Sequence, residues 1–296
     1  NVNLKNLAQI CAQNKILLIE DCAQSLWCKD YFKDIDLPGS FGDAALFSTG
    51  FFKNINTISG GFLLLKNKDL RFNKVLLEHE KLPKAIQRDY INRAIYGLIF
   101  KFLTNNIIFS SILFPILKVG FKFNLNFINK RAREENNPTY IKRTTKNIVR
   151  MNKIQNFLVT QQSIFFINND YMKRYKNTEL YLNNLKNTLS SQEIFIPGYN
   201  PEESIVDYKY ISSFPQLPLV CNKLSDLLNL LISNNIDIAP QHIRNLAEFK
   251  IYNNANFKCP KAESYSRKIL LLPTYPEYPK KNIEKISHLI NKFYSP

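Results

Sequence analysis

The chain has 296 residues and carries 40 Lys and Arg against 24 Asp and Glu, a formal net charge of +16. Its apolar content of 45% is enough for a packed core and excludes a mainly disordered protein. Five cysteines without a Cys-x-x-Cys pair argue against a disulfide framework and a structural zinc site, so we expect no metal. No helix-turn-helix, RNA-recognition or zinc-finger pattern accompanies the positive charge, so we expect no nucleic-acid partner.

Residues 1–85 alternate between helical and strand patterns. Three short apolar runs follow an N-terminal helical face, and they are typical of strands buried on both faces of an α/β sheet: Ile16 to Ile19, Ala44 to Phe47 and Phe62 to Leu65. Five of the eight glycines lie between Gly39 and Gly61. This concentration predicts tight turns or a close approach of the backbone to a ligand.

Residues 86–145 form a hydrophobic insertion. The run from Phe102 to Leu117 has sixteen residues without a charge, but it contains Pro115 and is shorter than the roughly 20 residues that a spanning helix needs. We interpret residues 95–130 as a helical hairpin at the inner face of the membrane. The basic cluster between residues 130 and 153 would attract anionic lipid there. A buried helical insertion or an oligomer contact is the alternative.

Residues 146–296 are predicted to form a second α/β unit. A long polar helix is expected from about Arg150 into the 180s, and the prolines in the stretch from Phe214 to Val220 favour an edge strand. A strand from Ile269 to Leu272 and two helices complete the unit. Their apolar stripes are Leu224, Leu227, Leu228 and Leu231, and then Ile283, Ile286, Ile290 and Phe293.

Three polar side chains point to chemistry at one sheet edge. Asp21 follows the first apolar run, and Ser48 follows the second. The carboxyl ends of parallel strands border the crevice in which α/β sheets bind ligands. Lys53, between Ser48 and the pair Gly60-Gly61, is a candidate Schiff-base nucleophile.

The order and spacing of these residues closely resemble the pyridoxal-phosphate sugar aminotransferases of the DegT/DnrJ/StrS type. The matching motifs are Glu20-Asp21-Cys22-Ala23-Gln24, Gly39-Ser40-Phe41-Gly42-Asp43-Ala44, Phe47-Ser48, Lys53 and Gly60-Gly61. Arg150-Met151 and the turn from Leu272 to Pro276 match the family more loosely. The resemblance implies a fold-type-I α/β enzyme. Residues 1–85 would be part of its large domain, 86–145 a hydrophobic helical insertion, and 146–296 the linking helix and small C-terminal domain.

The resemblance also implies roles for individual residues. Lys53 would bind pyridoxal phosphate as a Schiff base and carry the proton, and Asp21 would pair with the pyridine nitrogen. Gln24 would contact the ring or its phenolic oxygen, and Ser48 the phosphate. The reaction would be amino transfer, from glutamate, to a nucleotide-linked keto sugar in surface polysaccharide or lipopolysaccharide synthesis, by a cytoplasmic homodimer. His242 is a candidate substrate contact.

Two departures from the family limit this expectation. The chain begins with Asn1, one helix before Asp21, so the family's upstream phosphate-binding turn and ring-stacking aromatic residue are not in this sequence. In addition, Ile148 stands where relatives often have an asparagine that reaches the phosphate across the dimer interface. We therefore expect an incomplete form that binds the cofactor weakly. The alternatives are another pyridoxal reaction, such as sugar dehydration or amino transfer to a non-sugar ketone, and a non-catalytic membrane-apposed protein.

Overall fold

A computed structural model describes most of the chain. The described residues are 4–25, 38–51, 53–66, 70–123, 125, 148–165, 169–190, 193–202, 216–238, 245, 247 and 258–295. His242 and most of the basic cluster between residues 130 and 153 lie outside these ranges.

Helices and strands alternate at both ends of the chain, with a purely helical stretch between them. The strands are β1 Ile19–Asp21, β2 Ala44–Ser48, β3 Gly61–Leu65, β4 Ile194–Phe195, β5 Leu217–Cys221 and β6 Ile269–Leu272. The helices are α1 Leu4–Gln13, α2 Leu70–Lys81, α3 Gln87–Leu103, α4 Asn106–Ile108, α5 Phe114–Lys122, α6 Lys153–Phe165, α7 Tyr171–Ser190, α8 Leu224–Ser233, α9 Pro260–Ser266 and α10 Lys280–Tyr294. A π-helical turn, Phe109–Leu113, joins α4 to α5.

The first sheet has the order β1-β2-β3. β1 runs parallel to β2, and β2 runs antiparallel to β3. β1 begins at Ile19, so most of the apolar run predicted as a strand precedes it. At Leu18 the contact is with Asp43: the N–H of Leu18 donates to Oδ2 of Asp43 at 2.9 Å, and its carbonyl accepts the N–H of Asp43 at 2.8 Å.

The expectation that this sheet is buried on both faces is wrong for much of it in this chain. Ala44 and Ala45 are buried, but Leu46 on the same strand and Leu64 on β3 are each about half exposed. β3 is antiparallel to β2 and lies at the edge of the sheet. Parallel strands are joined by helical crossovers that cover the sheet, but an antiparallel pair needs no such helix.

The main hydrophobic core lies in the C-terminal part of the chain. β4, β5 and β6 form an antiparallel sheet. Helices α7, α8 and α10 supply the buried residues that pack with this sheet. The predicted strand from Ile269 to Leu272 is confirmed. The leucine stripe and the isoleucine stripe predicted for α8 and α10 are also confirmed, with Leu227, Leu231, Ile283, Ile286 and Ile290 all fully buried.

The prediction of an edge strand around Pro218 is wrong, because β5 is the central strand of its sheet. Cys221 donates its N–H to the carbonyl of Lys268 on the β6 side. Backbone N–H groups alternate in direction along a strand, so the nitrogen of Pro218 points to the β4 side. β4 pairs only with Val220 and Cys221 there. Proline is therefore tolerated, since no ladder bond is required at its position.

The long helix predicted from Arg150 is found as two helices, α6 and α7. Within the described ranges, no helix is long and apolar enough to cross a membrane.

Candidate functional site

The carboxyl ends of β1 and β2 meet at one edge of the first sheet. Asp21 is the last residue of β1, and Ser48 is the last residue of β2. The two strands are parallel, with Asp21 opposite Leu46, so both polar side chains belong to the same edge. Oδ1 of Asp21 accepts the backbone N–H of Ala23 at 3.0 Å, which fixes the orientation of the carboxylate.

A small pocket at this edge brings three of the predicted site residues together. Gln24, Ser48 and Lys53 line it, along with Cys22, Ala23, Phe47, Asn54 and Ile55. Asp21 lies next to the pocket in sequence but is not part of its lining. The pocket has a volume of about 10 Å³, which is room for about one water molecule. The reactive groups are therefore assembled, but the space between them is too small for a ring-sized ligand.

The thiol in this pocket is not a competing nucleophile at neutral pH. Cys22 is 3% exposed. Burial, together with the negative charges of Glu20 and Asp21, raises the pKa of its thiol to about 11. Because the thiolate is the reactive form, the half-buried amine of Lys53 is the stronger candidate among the pocket residues.

Lys53 lies on a loop that is held together by hydrogen bonds between two buried threonines. The N–H of Thr57 donates to the carbonyl of Thr49 at 2.9 Å, and the Thr57 hydroxyl donates to Oγ1 of Thr49 at 2.8 Å. Both threonines are completely buried. The N–H of Lys53 donates to the carbonyl of Gly50 at 3.0 Å, so the lysine backbone is held inside this loop.

Two glutamines of helix α6 hold the far side of the same loop. Gln162 exchanges two hydrogen bonds with the backbone of Asn56, at 2.7 and 2.6 Å. Gln155 donates from Nε2 to the carbonyl of Ser59 at 2.7 Å. Gln155 also forms a capping box with Asn152, in which each side chain accepts the other's backbone N–H, at 2.9 and 3.0 Å. The start of α6 is thus tied to the loop that carries Lys53.

Sequence reasoning missed these two glutamines. The spacing Asn-x-x-Gln at residue 152 is a capping-box signature and would have predicted the helix start. No sequence signal would have predicted the contacts with residues 56 and 59, because they join positions about a hundred residues apart.

Replacing Gln155 by alanine is expected to loosen the loop without unfolding the chain. The variant loses the capping box and the bond to Ser59, so we expect a loss of about 1 kcal/mol in stability. Amide hydrogen exchange of residues 56–60 should become faster. Gln161→Ala, on the exposed side of the same helix, is the matched control. Equal exchange rates in both variants would show that Gln155 does not hold the loop.

Glu20 was recognised only as part of a motif, and the structure shows what it does. This buried carboxylate accepts backbone N–H bonds from Gly39, Phe41 and Gly42, at 2.7, 2.9 and 2.6 Å. Gly39 has a φ of +90°, which glycine adopts without strain. Glu20 therefore folds the glycine-rich turn back onto β1, beside Asp21.

Replacing Glu20 by alanine is expected to destabilise the first sheet. The variant leaves three N–H donors without their acceptor, and we expect the free energy of unfolding to fall by about 3 kcal/mol. Urea unfolding measures this. Glu80→Ala on the exposed face of α2 is the control and should change stability by less than about 0.5 kcal/mol. A similarly small change for Glu20→Ala would contradict the assignment.

The donor set suits an organic cofactor better than a metal ion. A carboxylate, a hydroxyl, an amide and a primary amine converge at one strand edge. In the part of the chain that the structure describes, no group of three or more His, Cys, Asp or Glu residues could hold a metal ion.

Comparison with known protein families gives a match over the N-terminal part of the chain. Residues 1–126 match the DegT/DnrJ/EryC1/StrS aminotransferase family. The match includes every residue of the pocket. No curated protein sequence matches the chain.

Solved structures of similar fold extend the comparison to the whole chain. An aminotransferase of the same family from Brucella abortus is 14% identical with a TM-score of 0.58, and the alignment covers 100% of this chain and 62% of that one. PseC from Helicobacter pylori, an aminotransferase involved in the biosynthesis of pseudoaminic acid, is 14% identical with a TM-score of 0.61, covering 99% and 64%. GDP-4-keto-6-deoxy-D-mannose-3-dehydratase from E. coli, with bound hydrated PLP, is 15% identical with a TM-score of 0.59, covering 97% and 63%.

The chain spans a little over three fifths of the length of these structures. The predicted fold-type-I α/β architecture is confirmed by them. Residues 1–126 thus match the DegT/DnrJ/EryC1/StrS aminotransferase family, and the chain shares its fold with solved aminotransferase structures.

Proposed function

We propose that this chain carries the catalytic half-site of a pyridoxal-phosphate-dependent aminotransferase. The observation that carries the proposal is the pocket that joins Lys53, Ser48 and Gln24 beside the carboxylate of Asp21. All four residues lie in the region that matches the family.

The residues present fit the cofactor in chemical type. The Asp21 carboxylate would hold the ring nitrogen in its protonated form, the Ser48 hydroxyl would donate to a phosphate oxygen, and the Gln24 amide would contact the ring oxygen. When bound, pyridoxal phosphate withdraws electrons from the substrate carbon that bears the amino group. Nζ of Lys53 would hold the cofactor covalently and then move the proton to and from that carbon.

The proposed substrates are an amino donor, glutamate, and a nucleotide-linked keto sugar. In the balanced reaction, glutamate becomes 2-oxoglutarate and the keto group of the sugar becomes an amino group. The fold relatives PseC and the GDP-keto-sugar dehydratase support a sugar substrate by the names they carry. Lys53 favours transfer over dehydration, because the family resemblance implies a histidine in place of this lysine in enzymes that dehydrate. Surface polysaccharide or lipopolysaccharide synthesis in the cytoplasm is the context we propose.

We also propose that a second copy completes the site in a homodimer. The support is the size of the pocket, whose volume of about 10 Å³ cannot enclose a pyridine ring. The division into 1–85, 86–145 and 146–296 remains our assignment, supported by the two separate sheets at the two ends of the chain. His242 remains a proposed substrate contact.

Product analysis tests this function. The purified chain is incubated with saturating pyridoxal phosphate, labelled glutamate and a GDP- or TDP-linked keto sugar. The proposal predicts an amino sugar nucleotide and 2-oxoglutarate in equal amounts. Loss of water from the sugar without consumption of glutamate would instead identify a dehydratase and overturn the proposal.

A further inference from the structure

Helices α3 and α5 each contact the rest of the protein. On α3, a Cβ at Gly97 would lie 3.1 Å from the ring of Phe51, and Phe100 packs edge-on against the same ring at 5.5 Å. On α5, Nζ of Lys118 donates to the carbonyl of Ser233 and to Oδ1 of Asn235. The segment is therefore held to the Lys53 loop at one end and to the C-terminal unit at the other.

Each of these two helices also carries an exposed apolar stripe. The first stripe, on α3, has the spacing i, i+4, i+7, i+11 and consists of Ile91, Ile95, Leu98 and Phe102, which are 45 to 66% exposed. The second stripe, which runs along α5 from the π-helical turn, repeats this spacing with Ile112, Ile116, Val119 and Phe123, which are 48 to 64% exposed. Ile107, between the stripes, is 75% exposed. Because the pattern is regular on both α3 and α5, it predicts that an apolar partner covers this surface.

The net charge of residues 87–123 indicates which kind of partner binds to the two apolar stripes. Residues 87–123 contain five basic side chains, Arg88, Arg93, Lys101, Lys118 and Lys122, against one acidic side chain, Asp89. A symmetric contact between two copies would bring these like charges together, as would contact with any basic partner. An anionic bilayer offers negative charge to the basic side chains and a hydrocarbon interior to the apolar stripes. Among the described residues no helix can span the bilayer, so the segment would lie in its surface.

We propose that the two apolar stripes of residues 87–123 insert into the interface of an anionic phospholipid membrane and hold the protein there peripherally. This inference is independent of the reaction catalysed. It places the loop that carries Lys53 against the face of α3 that points away from the bilayer, since α3 contacts Phe51 two residues from that lysine.

Vesicle flotation of the full chain tests the proposal. We expect the chain to float with vesicles of phosphatidylcholine and phosphatidylglycerol and to bind at least tenfold less to phosphatidylcholine alone. Binding should also weaken as salt is added. The double variant Leu98→Gln/Ile116→Gln removes one residue from each stripe and should bind about a hundredfold less. Its circular dichroism should match the parent, because both positions are exposed.

The matched control is Ile10→Gln/Leu64→Gln, at similarly exposed apolar positions outside the segment. This variant should bind vesicles as the parent does. Failure of the parent to float with anionic vesicles would overturn the proposal, as would equal losses in both double variants. If light scattering showed that Leu98→Gln/Ile116→Gln turns a dimer into a monomer while neither protein floats, a second copy would be the occupant and the proposal would be wrong.

Discussion

Replacing Lys53 by alanine is expected to abolish the conversion of pyridoxal phosphate to its amine form by glutamate. The variant lacks both the amine that holds the cofactor and the base that moves the proton, so we expect the rate to fall by about 10³-fold or more. The fold should be unaffected, because the loop is held by Thr49, Thr57 and α6 rather than by the lysine side chain. Chromatographic detection of pyridoxamine phosphate measures the rate.

Lys74→Ala is the matched control for this variant. Lys74 is an exposed lysine on α2, outside the pocket. Its removal should leave the rate within about twofold of the parent. Equal rates for Lys53→Ala and the parent would mean that another group performs the chemistry.

The second large effect is expected at Gly61. A Cβ at this position would overlap the backbone carbonyl oxygen of Phe47, which precedes Ser48, the partner of Gly61 in the β2–β3 ladder, and neither backbone can move without breaking the pairing. Gly61→Ala should therefore lower the free energy of unfolding by about 3 kcal/mol. Since β3 follows the Lys53 loop directly, the variant should also reduce labelling of Lys53 by the cofactor.

Gly50→Ala distinguishes steric overlap from a general cost of removing glycine in this loop. At Gly50 a Cβ would meet only Oγ of Ser48, at an ordinary 3.6 Å. We expect a change below about 0.5 kcal/mol in urea unfolding. If the two alanine variants lost equal stability, the close approach of Gly61 to Phe47 would not be the cause.

The local part of the site could be predicted from the sequence. Asp21 and Ser48 end adjacent parallel strands, and Lys53 follows within five residues, so short-range patterns were sufficient to place them at one edge. The reason for Gly60 could not be predicted in the same way. Its φ is +125°, and a Cβ there would meet Cε of Met151, which lies about ninety residues later in the chain.

The position of a strand within its sheet could not be predicted from the sequence either. Proline usually marks an edge strand, but whether Pro218 loses a hydrogen bond depends on the length of β4, which is only two residues. Similarly, the exposure of Leu46 and Leu64 depends on what covers the first sheet and not on their own hydrophobicity. These properties arise from tertiary packing, which local periodicity does not encode.

The most direct test of the account is to map where pyridoxal phosphate attaches. The folded chain is mixed with millimolar cofactor, reduced with borohydride, digested and analysed by mass spectrometry. We expect Lys53 to carry most of the label, well above exposed lysines such as Lys74, although the small pocket makes binding weak. Label spread over surface lysines with no preference for Lys53 would contradict the assignment of this pocket as the cofactor site.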